Sequence, residues 1–303
     1  WCVAPGIPEA ALGGALRGHN EGVIEADRRP GILARMLGSM LRAAREVAGL
    51  SYDAAAARLG CEADWLIRAE TGFVVAAPEE VARILVEYGA RDAVAAGQMI
   101  DLARRAAAPP PWLAAHVSRL TAATRDVLLI EAESTLARVH GFLLIPELVQ
   151  TEEYFRAISP GAFPGRDVEA EWDLLSHRQA HRPAGLARLL QVMIDESALD
   201  VQAGHPEVMA GQVRHLLALA GSRHATVRVI PAGAPIWEKR GGNFDVFSFA
   251  GTTNRIGVCH YPVLGAEIAT GDFYNTWARI ESTAAADPAH SRTILQRHLA
   301  ALT

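Results

Sequence analysis

The sequence has few cysteines and few aromatic residues, and it lacks any long uncharged apolar run. Its three cysteines, Cys2, Cys61 and Cys259, are too scattered for a disulfide framework, and no C-x-x-C spacing indicates a metal site. No stretch approaches the ~18 apolar residues of a membrane helix, and no basic segment followed by an apolar one begins the chain. We therefore expect a cytoplasmic protein without a membrane partner.

The signature motifs of several enzyme classes are also missing. No G-x-S-x-G, H-E-x-x-H, G-x-x-x-x-G-K-[ST] or G-x-G-x-x-G pattern occurs, which leaves serine hydrolases, zinc proteases, P-loop NTPases and dinucleotide-binding enzymes without support. Cys259 and His260 are neighbours in a predicted strand, where adjacent side chains point to opposite faces, so they cannot act as a nucleophile and its base. We expect no cofactor and no bound metal.

The composition is that of a globular protein with more than one domain. The 303 residues are 50% hydrophobic and 21% charged, with a formal net charge of -5. Glycines and prolines mark residues 1–30 as an N-terminal extension. The prolines at 109–111 form a stiff connector, so we predict a helix-turn-helix-like domain at 31–107 and an α+β ligand-binding domain at 108–303.

The two predicted domains differ in the spacing of their apolar residues. Between positions 31 and 105 these residues recur at intervals of three and four, and glycines follow the segments, which predicts five short helices. Residues 108–303 combine predicted helices with three strand-like segments, Thr226–Ile230, Phe244–Phe249 and Arg255–Tyr261. The sequence predicts a mainly α N-terminal domain and an α+β C-terminal domain with a small antiparallel sheet.

Particular residues link both domains to a known family. In the first domain, Leu50-Ser51 opens the second helix and Gly60 separates it from the third. The second domain contributes Glu131-Ala132-Glu133, the run Ile145-Pro146-Glu147-Leu148-Val149-Gln150-Thr151-Glu152-Glu153-Tyr154, Arg178-Gln179, Pro206-Glu207-Val208-Met209 and Val227-Arg228-Val229-Ile230-Pro231. On these residues the chain resembles the Xre-type helix-turn-helix regulators of actinobacteria, which carry a C-terminal sensor-like domain of uncharacterised function. The resemblance implies a homodimer that senses a small molecule and binds DNA.

The predicted reading helix departs from that family. The family usually presents a Ser cap and then Arg, Ser or Lys side chains to the major groove, whereas this chain has Glu62 and Asp64, with Trp65 and Ile67. Between positions 31 and 90 six arginines stand against eight acidic residues, which is unfavourable for contact with phosphates. We therefore predict that the DNA-reading helix is degenerate.

Two alternatives for this domain remain. The first is a functional DNA-binding domain in which flanking arginines contact phosphates and one arginine reads a base. The candidates for phosphate contact are Arg42, Arg45 and Arg58, and the base reader is Arg68. The second is an interaction module with an apolar patch for a partner protein. That patch would consist of Tyr52, Trp65 and Ile67.

Acidic and histidine side chains form a stripe along one predicted helix of the second domain. Its members recur every four residues: Glu169, Asp173, His177 and His181. Because residues four apart adjoin on a helix, Asp173, His177 and His181 are candidates for acid–base catalysis. The two histidines and Asp173 have a spacing that would also suit a metal, although the sequence offers no obvious matching ligand pair elsewhere. A solvated helix face, with histidine near its C-terminus, is the third interpretation.

Further candidate residues lie at or near the family-like motifs. Glu131 is another acid–base candidate; it lies two positions from Glu133, so only one of the two can face inward. Arg178 is a candidate to hold a ligand carboxylate through two hydrogen bonds, or else to pair with a buried glutamate and join two helices. The other candidate ligand-binding residues are Glu133, His140, Tyr154 and Trp172.

These features lead to one preferred function and two alternatives. We predict a regulator-like protein whose C-terminal pocket binds or transforms a small molecule. The missing cofactor motifs favour cofactor-independent acid–base chemistry, of the cyclase, isomerase or dehydratase type, in secondary metabolism. The alternatives are a ligand-responsive transcriptional regulator that binds DNA as a homodimer, and the interaction module described above.

Overall fold

The computed structural model describes residues 30–108, 110–162, 165–181, 189–235, 242–249, 255–261, 265–269 and 271–303. The chain divides into two compact units, one reaching Pro111 and including Arg119–Asp126, and the other formed by Trp112–Ser118 and Val127–Thr303. The predicted N-terminal extension lies outside the described residues except for its last position. No helix in the described part of the chain is long and apolar enough to cross a membrane.

Five helices form the first unit, in the order that the sequence predicts. They are α1 (Ile32–Val47), α2 (Tyr52–Leu59), α3 (Ala63–Glu70), α4 (Pro78–Glu87) and α5 (Ala93–Ala107). The Ser51 hydroxyl caps α2 by accepting a hydrogen bond of 3.2 Å from the Ala54 amide. Gly60 ends α2 in the left-handed conformation, with a φ of 63°, and this turns the chain into α3. The predicted helical helix-turn-helix region is therefore confirmed.

The apolar face of α1 forms the core of this unit and approaches the end of α3 closely. Leu37, Leu41 and Leu66 are almost fully buried. A Cβ atom placed on Gly38 would lie 2.5 Å from the Glu70 carbonyl oxygen, so only glycine allows the two backbones this distance. The close contact fixes the position of α3, the predicted reading helix.

The rest of the chain alternates helices and strands. The helices are α6 (Pro111–Ala114), α7 (Ala122–Glu133), α8 (Glu152–Ala162), α9 (Val168–His181), α10 (Pro206–Ala220), α11 (Phe273–Thr283) and α12 (Pro288–Leu302). The strands are β1 (Leu136–Gly141), β2 (Leu189–Asp195), β3 (Ala225–Ile230), β4 (Phe244–Ser248), β5 (Arg255–Tyr261) and β6 (Gly265–Ala269). Three short 3-10 helices span Val117–Arg119, Glu147–Val149 and Glu196–Leu199.

The strands form one sheet with the order β3-β2-β1-β4-β5-β6. The β1, β2 and β3 strands run parallel to one another, whereas β4 pairs antiparallel with β1, β5 with β4, and β6 with β5. The prediction of a small antiparallel sheet is therefore wrong, because the sheet is mixed and has six strands. The sequence pattern misses β1, which follows two residues after a helix and contains a buried histidine where an apolar residue is expected.

Alternation along the strands gives the sheet two different faces. On one face Met193, Phe244 and Val246 pack with Trp277 and Ile280 of α11 in a fully buried cluster. Strand register places His140 of β1 directly opposite Phe244, so the two side chains share this face. Asp245 is the next residue along β4 and points to the opposite face, where polar side chains gather.

Candidate functional site

The carboxyl ends of β1 and β2 meet the start of β4 at one edge of the sheet, and polar side chains lie there on both faces. His140, one residue before the end of β1, is 2% exposed. Its Nδ1 donates to the Gly242 carbonyl oxygen at 2.6 Å, and its ring stacks on Phe244 with centroids 4.9 Å apart. Among the described residues nothing hydrogen-bonds Nε2. Burial lowers the pKa of His140, against the attraction of Asp195 and Asp245, so the ring is neutral and Nε2 is a buried acceptor.

Asp245 and His260 form an ion pair on the other face of this edge. The His260 Nε2 lies 2.7 Å from the Asp245 Oδ2, and both side chains are mostly buried. Burial alone would lower the pKa of His260, but the adjacent Asp245 carboxylate, helped by Glu147, raises it above the ordinary value. The pair therefore provides a carboxylate-oriented imidazole, which can act as a general acid when it is charged and as a general base when it is neutral.

Arg178 of α9 holds two glutamates beside this pair. Its Nε and NH2 atoms donate to the two carboxylate oxygens of Glu131 at 3.2 and 2.8 Å, and NH1 donates to Glu147 at 2.6 Å. Burial raises the pKa of Glu147, but Arg178 and then His260 outweigh it and the net shift is downward. We call the residues Glu131, Glu147, Arg178, Asp245 and His260 the edge cluster.

The edge cluster changes the interpretation of two predicted site residues. Glu131 is 3% exposed and its carboxylate is held by Arg178, so the structure does not present it as an accessible acid–base group. Arg178 likewise occupies its guanidinium with the two glutamates, which corresponds to the alternative of an arginine that joins two helices. Glu147 is the member with the most exposed side chain, at 36%, and could meet a ligand.

Tyr154 and the run before it hold the backbone next to the edge cluster. The Tyr154 side chain is fully buried, and its hydroxyl accepts a hydrogen bond from the Ile145 amide at 3.3 Å. Gln150 donates to the Ile145 carbonyl oxygen at 2.6 Å, and Gln212 donates to the Val149 carbonyl oxygen at 2.7 Å. Burial raises the pKa of Tyr154, which keeps the phenol neutral. In this position Tyr154 supports the loop, and its assignment as a ligand-binding residue stays a prediction.

The stripe on α9 divides among three different neighbours. Glu169 pairs with Arg156 of α8. Asp173 and His177 lie beside His116, with His116 Nε2 3.5 Å from Asp173 Oδ2. His181 packs against Trp112, with ring centroids 5.5 Å apart. Neighbouring members of the stripe also contact each other, since the rings of His177 and His181 stack with centroids 6.4 Å apart. A role of Asp173, His177 and His181 in acid–base catalysis stays a prediction.

The remaining two candidate ligand-binding residues, Trp172 and Glu133, are half-buried and lie outside the edge cluster. Trp172 is half-buried and packs against Phe155, with ring centroids 5.5 Å apart. Glu133 is half-buried at the end of α7, two positions after the fully engaged Glu131. Neither residue takes part in an interaction described above for the edge cluster. Their assignment to a ligand site stays a prediction.

In the first unit, α3 exposes an acidic N-terminal end. Glu62 and Asp64 are exposed there, and Arg68 is exposed one turn further on. Trp65 is half-buried and Ile67 is 40% exposed. The side chains available to a major groove therefore begin with two carboxylates, which repel phosphates and the acceptor-rich edges of bases.

The structure places Arg45 inside the unit, contrary to its predicted position on a phosphate-contacting face. Arg45 is 6% exposed and donates two hydrogen bonds to Glu70 and one to the Leu50 carbonyl oxygen. Its guanidinium also lies 3.9 Å from the centre of the Tyr52 ring, so Tyr52 packs within the unit instead of contributing a free apolar patch. Arg42 is exposed but pairs with Glu46 at 2.9 Å, and Arg58 is exposed on α2.

Sequence reasoning missed four residues that the structure brings to these places: His116, Glu147, Asp245 and His260. Asp245 and His260 lie 15 positions apart on adjacent strands, and only the β4–β5 register brings them together. For Asp245 and His260 the sequence contains one weak signal, which is an acidic residue or a histidine inside a strand that is otherwise mostly apolar. Burying such residues is costly unless they are paired, which makes them worth examining.

Comparisons with known proteins identify two domain families along the chain. A model of a helix-turn-helix domain matches residues 36–96. A model of a domain of unknown function, DUF5753, matches residues 124–297, which include the edge cluster and the stripe on α9. No curated protein and no solved structure matches the chain.

Proposed function

The chain belongs to the family of the domain of unknown function DUF5753, and we propose that this second domain is its functional part. The protein would be a helix-turn-helix-regulator-like protein whose first domain keeps the fold but lacks a DNA-reading surface. The second domain would bind a small molecule at the sheet edge that carries His140 and the edge cluster. Ligands of open α/β sheets bind beyond the carboxyl ends of parallel strands, which is where these residues lie.

The observation that carries this proposal is the acidic end of α3. In helix-turn-helix proteins the N-terminal residues of this helix contact base edges, and arginine and lysine residues contact the flanking phosphates. Here Glu62 and Asp64 occupy that end, and the buried Arg45 is committed to Glu70. Arg68 is left as the exposed basic side chain of the helix.

The residues at the sheet edge support binding of a polar small molecule. The buried Nε2 of His140 is an acceptor that a ligand hydroxyl or amide would satisfy, at less cost than leaving it without a partner. On the other face, the His260–Asp245 pair supplies an acid–base group, and the carboxylate of Glu147 lies within its electrostatic influence. These are the groups that cofactor-independent isomerisation, cyclisation or dehydration requires.

Several finer predictions accompany this proposal. They are the Xre-type and actinobacterial assignment, the homodimer, the cytoplasmic location, a role in secondary metabolism and the domain boundaries at residues 30 and 107. The resemblance noted in the sequence supports the first two, and the composition supports the cytoplasmic location.

Binding to DNA tests the proposal directly. The purified full chain is titrated against a random-sequence duplex and against the duplex of its own promoter, at about 50 mM and about 200 mM salt, with anisotropy as the readout. We expect no tight binding even at the lower concentration, where phosphate contacts are strongest. Tight, salt-dependent binding that prefers the promoter would overturn the proposal.

That second outcome corresponds to a ligand-responsive transcriptional regulator, the other function that the structure favours. The matched helix-turn-helix domain and its intact packing around Gly38 and Gly60 favour it. In this case Arg42 and Arg58 would contact phosphates, and their alanine variants would weaken binding and lower its salt dependence. Arg68 would read a base, and its alanine variant would weaken binding and relax the sequence preference.

Ligand binding at the sheet edge requires its own experiment. A library of polar metabolites is screened for compounds that raise the unfolding temperature of the full chain, because a ligand of the native state stabilises it. The hits are then tested on His140→Phe, which removes the Nε2 acceptor but keeps an aromatic ring against Phe244. A compound that binds at this edge should no longer raise the unfolding temperature of His140→Phe. If every hit still raises it, the ligand binds elsewhere.

A further inference from the structure

The α6 helix and the residues that follow it pack along α9, and two residues spaced four apart on each side face each other there. Trp112 lies against His181, and His116 lies against His177, with ring centroids 5.5 and 5.7 Å apart. The second contact places His116 beside Asp173 as well, since residues 173 and 177 adjoin on the helix. A histidine from outside α9 therefore joins two residues of the stripe.

We propose that His116, Asp173 and His177 bind a divalent transition-metal ion, with Zn²⁺ as the best fit. One ligand atom from each residue lies within 4.8 Å of the others. Two imidazoles and one carboxylate are a ligand set that zinc prefers, and three protein ligands leave a fourth tetrahedral position open. The sequence predicts no metal because it offers no obvious matching ligand pair outside the helix, but the fold brings His116 beside the stripe.

The orientation of His177 suits this role. Its Nδ1 donates to the Asp173 carbonyl oxygen at 2.8 Å, which leaves the lone pair of Nε2 available for a metal. Metal-binding histidines commonly donate their other nitrogen to a backbone carbonyl in this way, and the bond fixes both tautomer and ring orientation.

Two of the three proposed ligand atoms already have a spacing that suits a zinc ion. Ligand atoms about 2.0–2.1 Å from a tetrahedral zinc ion lie about 3.4 Å from one another. The His116 Nε2 and Asp173 Oδ2 atoms are already 3.5 Å apart. Asp173 and His177 are 58% and 41% exposed at their side chains, so they can rotate toward the buried His116 without disturbing the core.

The three proposed ligands differ in exposure, because His116 is buried and Asp173 and His177 are partly exposed. This difference indicates where a further ligand could bind the ion. His116 anchors the ion from within the unit, whereas the open position faces solvent beside Asp173 and His177. A water molecule or a ligand oxygen would complete the coordination there. This site is separate from the edge cluster, so its test does not depend on the function proposed above.

Titration with Zn²⁺ tests the proposal. The untagged full chain is treated with EDTA, dialysed and titrated with Zn²⁺ in competition with a chromophoric chelator. The variants are Asp173→Asn and His177→Gln, both at exposed positions, and His181→Gln is the control one turn further along the same stripe. Far-UV circular dichroism and unfolding temperature are recorded for each variant without metal to verify folding.

We expect one Zn²⁺ per chain, a rise in the unfolding temperature with Zn²⁺, and unchanged binding in His181→Gln. Loss of an outer-shell partner alone costs about 10–100-fold in affinity, so each ligand variant should lose at least about 100-fold. The proposal is overturned if the chain shows no saturable binding, which would make His116 and Asp173 a simple ion pair. The proposal would also be overturned if Asp173→Asn and His177→Gln bound Zn²⁺ as tightly as the native chain. The same holds if His181→Gln lost as much affinity for Zn²⁺ as those two variants.

Discussion

Arg45 and Glu70 face each other inside the helix-turn-helix unit through two hydrogen bonds. The Nε–Oε1 distance is 2.7 Å and the NH2–Oε2 distance is 2.9 Å. The pair joins the C-terminal half of α1 to the last residue of α3, and the Leu50 carbonyl oxygen takes a third hydrogen bond from the same guanidinium. A residue that looks like a DNA contact in the sequence thus holds the reading helix in place.

Removing the arginine should therefore destabilise the first unit. Arg45→Met leaves the Glu70 carboxylate buried without its partner, which typically costs about 3–5 kcal/mol. Hydrogen exchange of the amides of α1 and α3, followed by mass spectrometry, should show faster exchange in the variant. Arg42→Met is the control, because the exposed Arg42–Glu46 pair contributes little, and exchange as slow as in that control would contradict the prediction.

A methyl group at Gly38 should act on the same contact. Its Cβ would lie 2.5 Å from the Glu70 carbonyl oxygen, so Gly38→Ala must separate α1 from α3 at a cost of about 1–3 kcal/mol. Gly97→Ala is a matched control inside α5, where no atom lies within 4 Å, and it should stabilise the unit by about 0.5–1 kcal/mol. In thermal unfolding, Gly38→Ala should lower the unfolding temperature of the unit and Gly97→Ala should raise it.

The His260–Asp245 pair should make stability depend on pH. The folded-state pKa of His260 is raised above 6.5, so the pair contributes its full stabilisation below about that pH and loses it as the pH rises through the raised value. The difference in unfolding free energy between the native protein and His260→Gln should therefore shrink from pH 6 to pH 9 in urea titrations. A difference that is constant, or that grows with pH, would show that Asp245 and Glu147 do not favour the charged imidazole.

The Arg178–Glu131 pair allows a structural role to be distinguished from a catalytic one. Glu131→Gln leaves part of the buried guanidinium charge unmatched, and Arg178→Met leaves a buried carboxylate, at a cost of about 3–5 kcal/mol for the latter. Urea unfolding should show this loss, whereas Arg156→Met, in the exposed pair with Glu169, should change little. Native stability in Glu131→Gln and Arg178→Met alike would argue that Glu131 serves chemistry instead.

Charge reversal at the N-terminal end of α3 should raise the affinity for DNA, because the proposal attributes weak binding to the two carboxylates there. The double variant Glu62→Arg and Asp64→Arg adds two cationic side chains where base and phosphate contacts are made. Binding of a random duplex should appear at low salt, with a slope of log affinity against log salt that steepens by about 0.9 for each new phosphate contact. Glu79→Arg with Glu87→Arg on α4 changes the net charge equally, and the same gain in that control would show a general charge effect.

The helices of the first unit could be predicted from the sequence because local signals define them. Ser51 and Gly60 mark the two ends of α2, and both act through bonds within a few residues. In the second unit β3, β4 and β5 were also predictable, since their apolar and β-branched runs are bounded by polar or glycine-rich segments.

The strands and site contacts that the sequence did not predict depend on residues distant in the chain. β1 pairs with β2, 53 positions later in register, and nothing within Leu136–Gly141 alone indicates that ladder. The meeting of His116 with His177, and of Asp245 with His260, follows from packing and register in the same way. Residue types were thus predictable at individual positions, but the pairing of one candidate with another was not.

The junction between the two halves of the sheet has a consequence for how the chain folds. His140 and Gly242, which are hydrogen-bonded at this junction, are 102 positions apart, whereas β4, β5 and β6 connect to one another over short distances. Contacts between distant residues form slowly, because the entropy of closing the loop is lost before the contact is made. The β4–β6 meander can assemble early, and the β1–β4 ladder is the late step that joins it to the parallel half. His140 on β1 and the Asp245–His260 pair within the meander, both proposed to bind a ligand, would therefore come together late in folding.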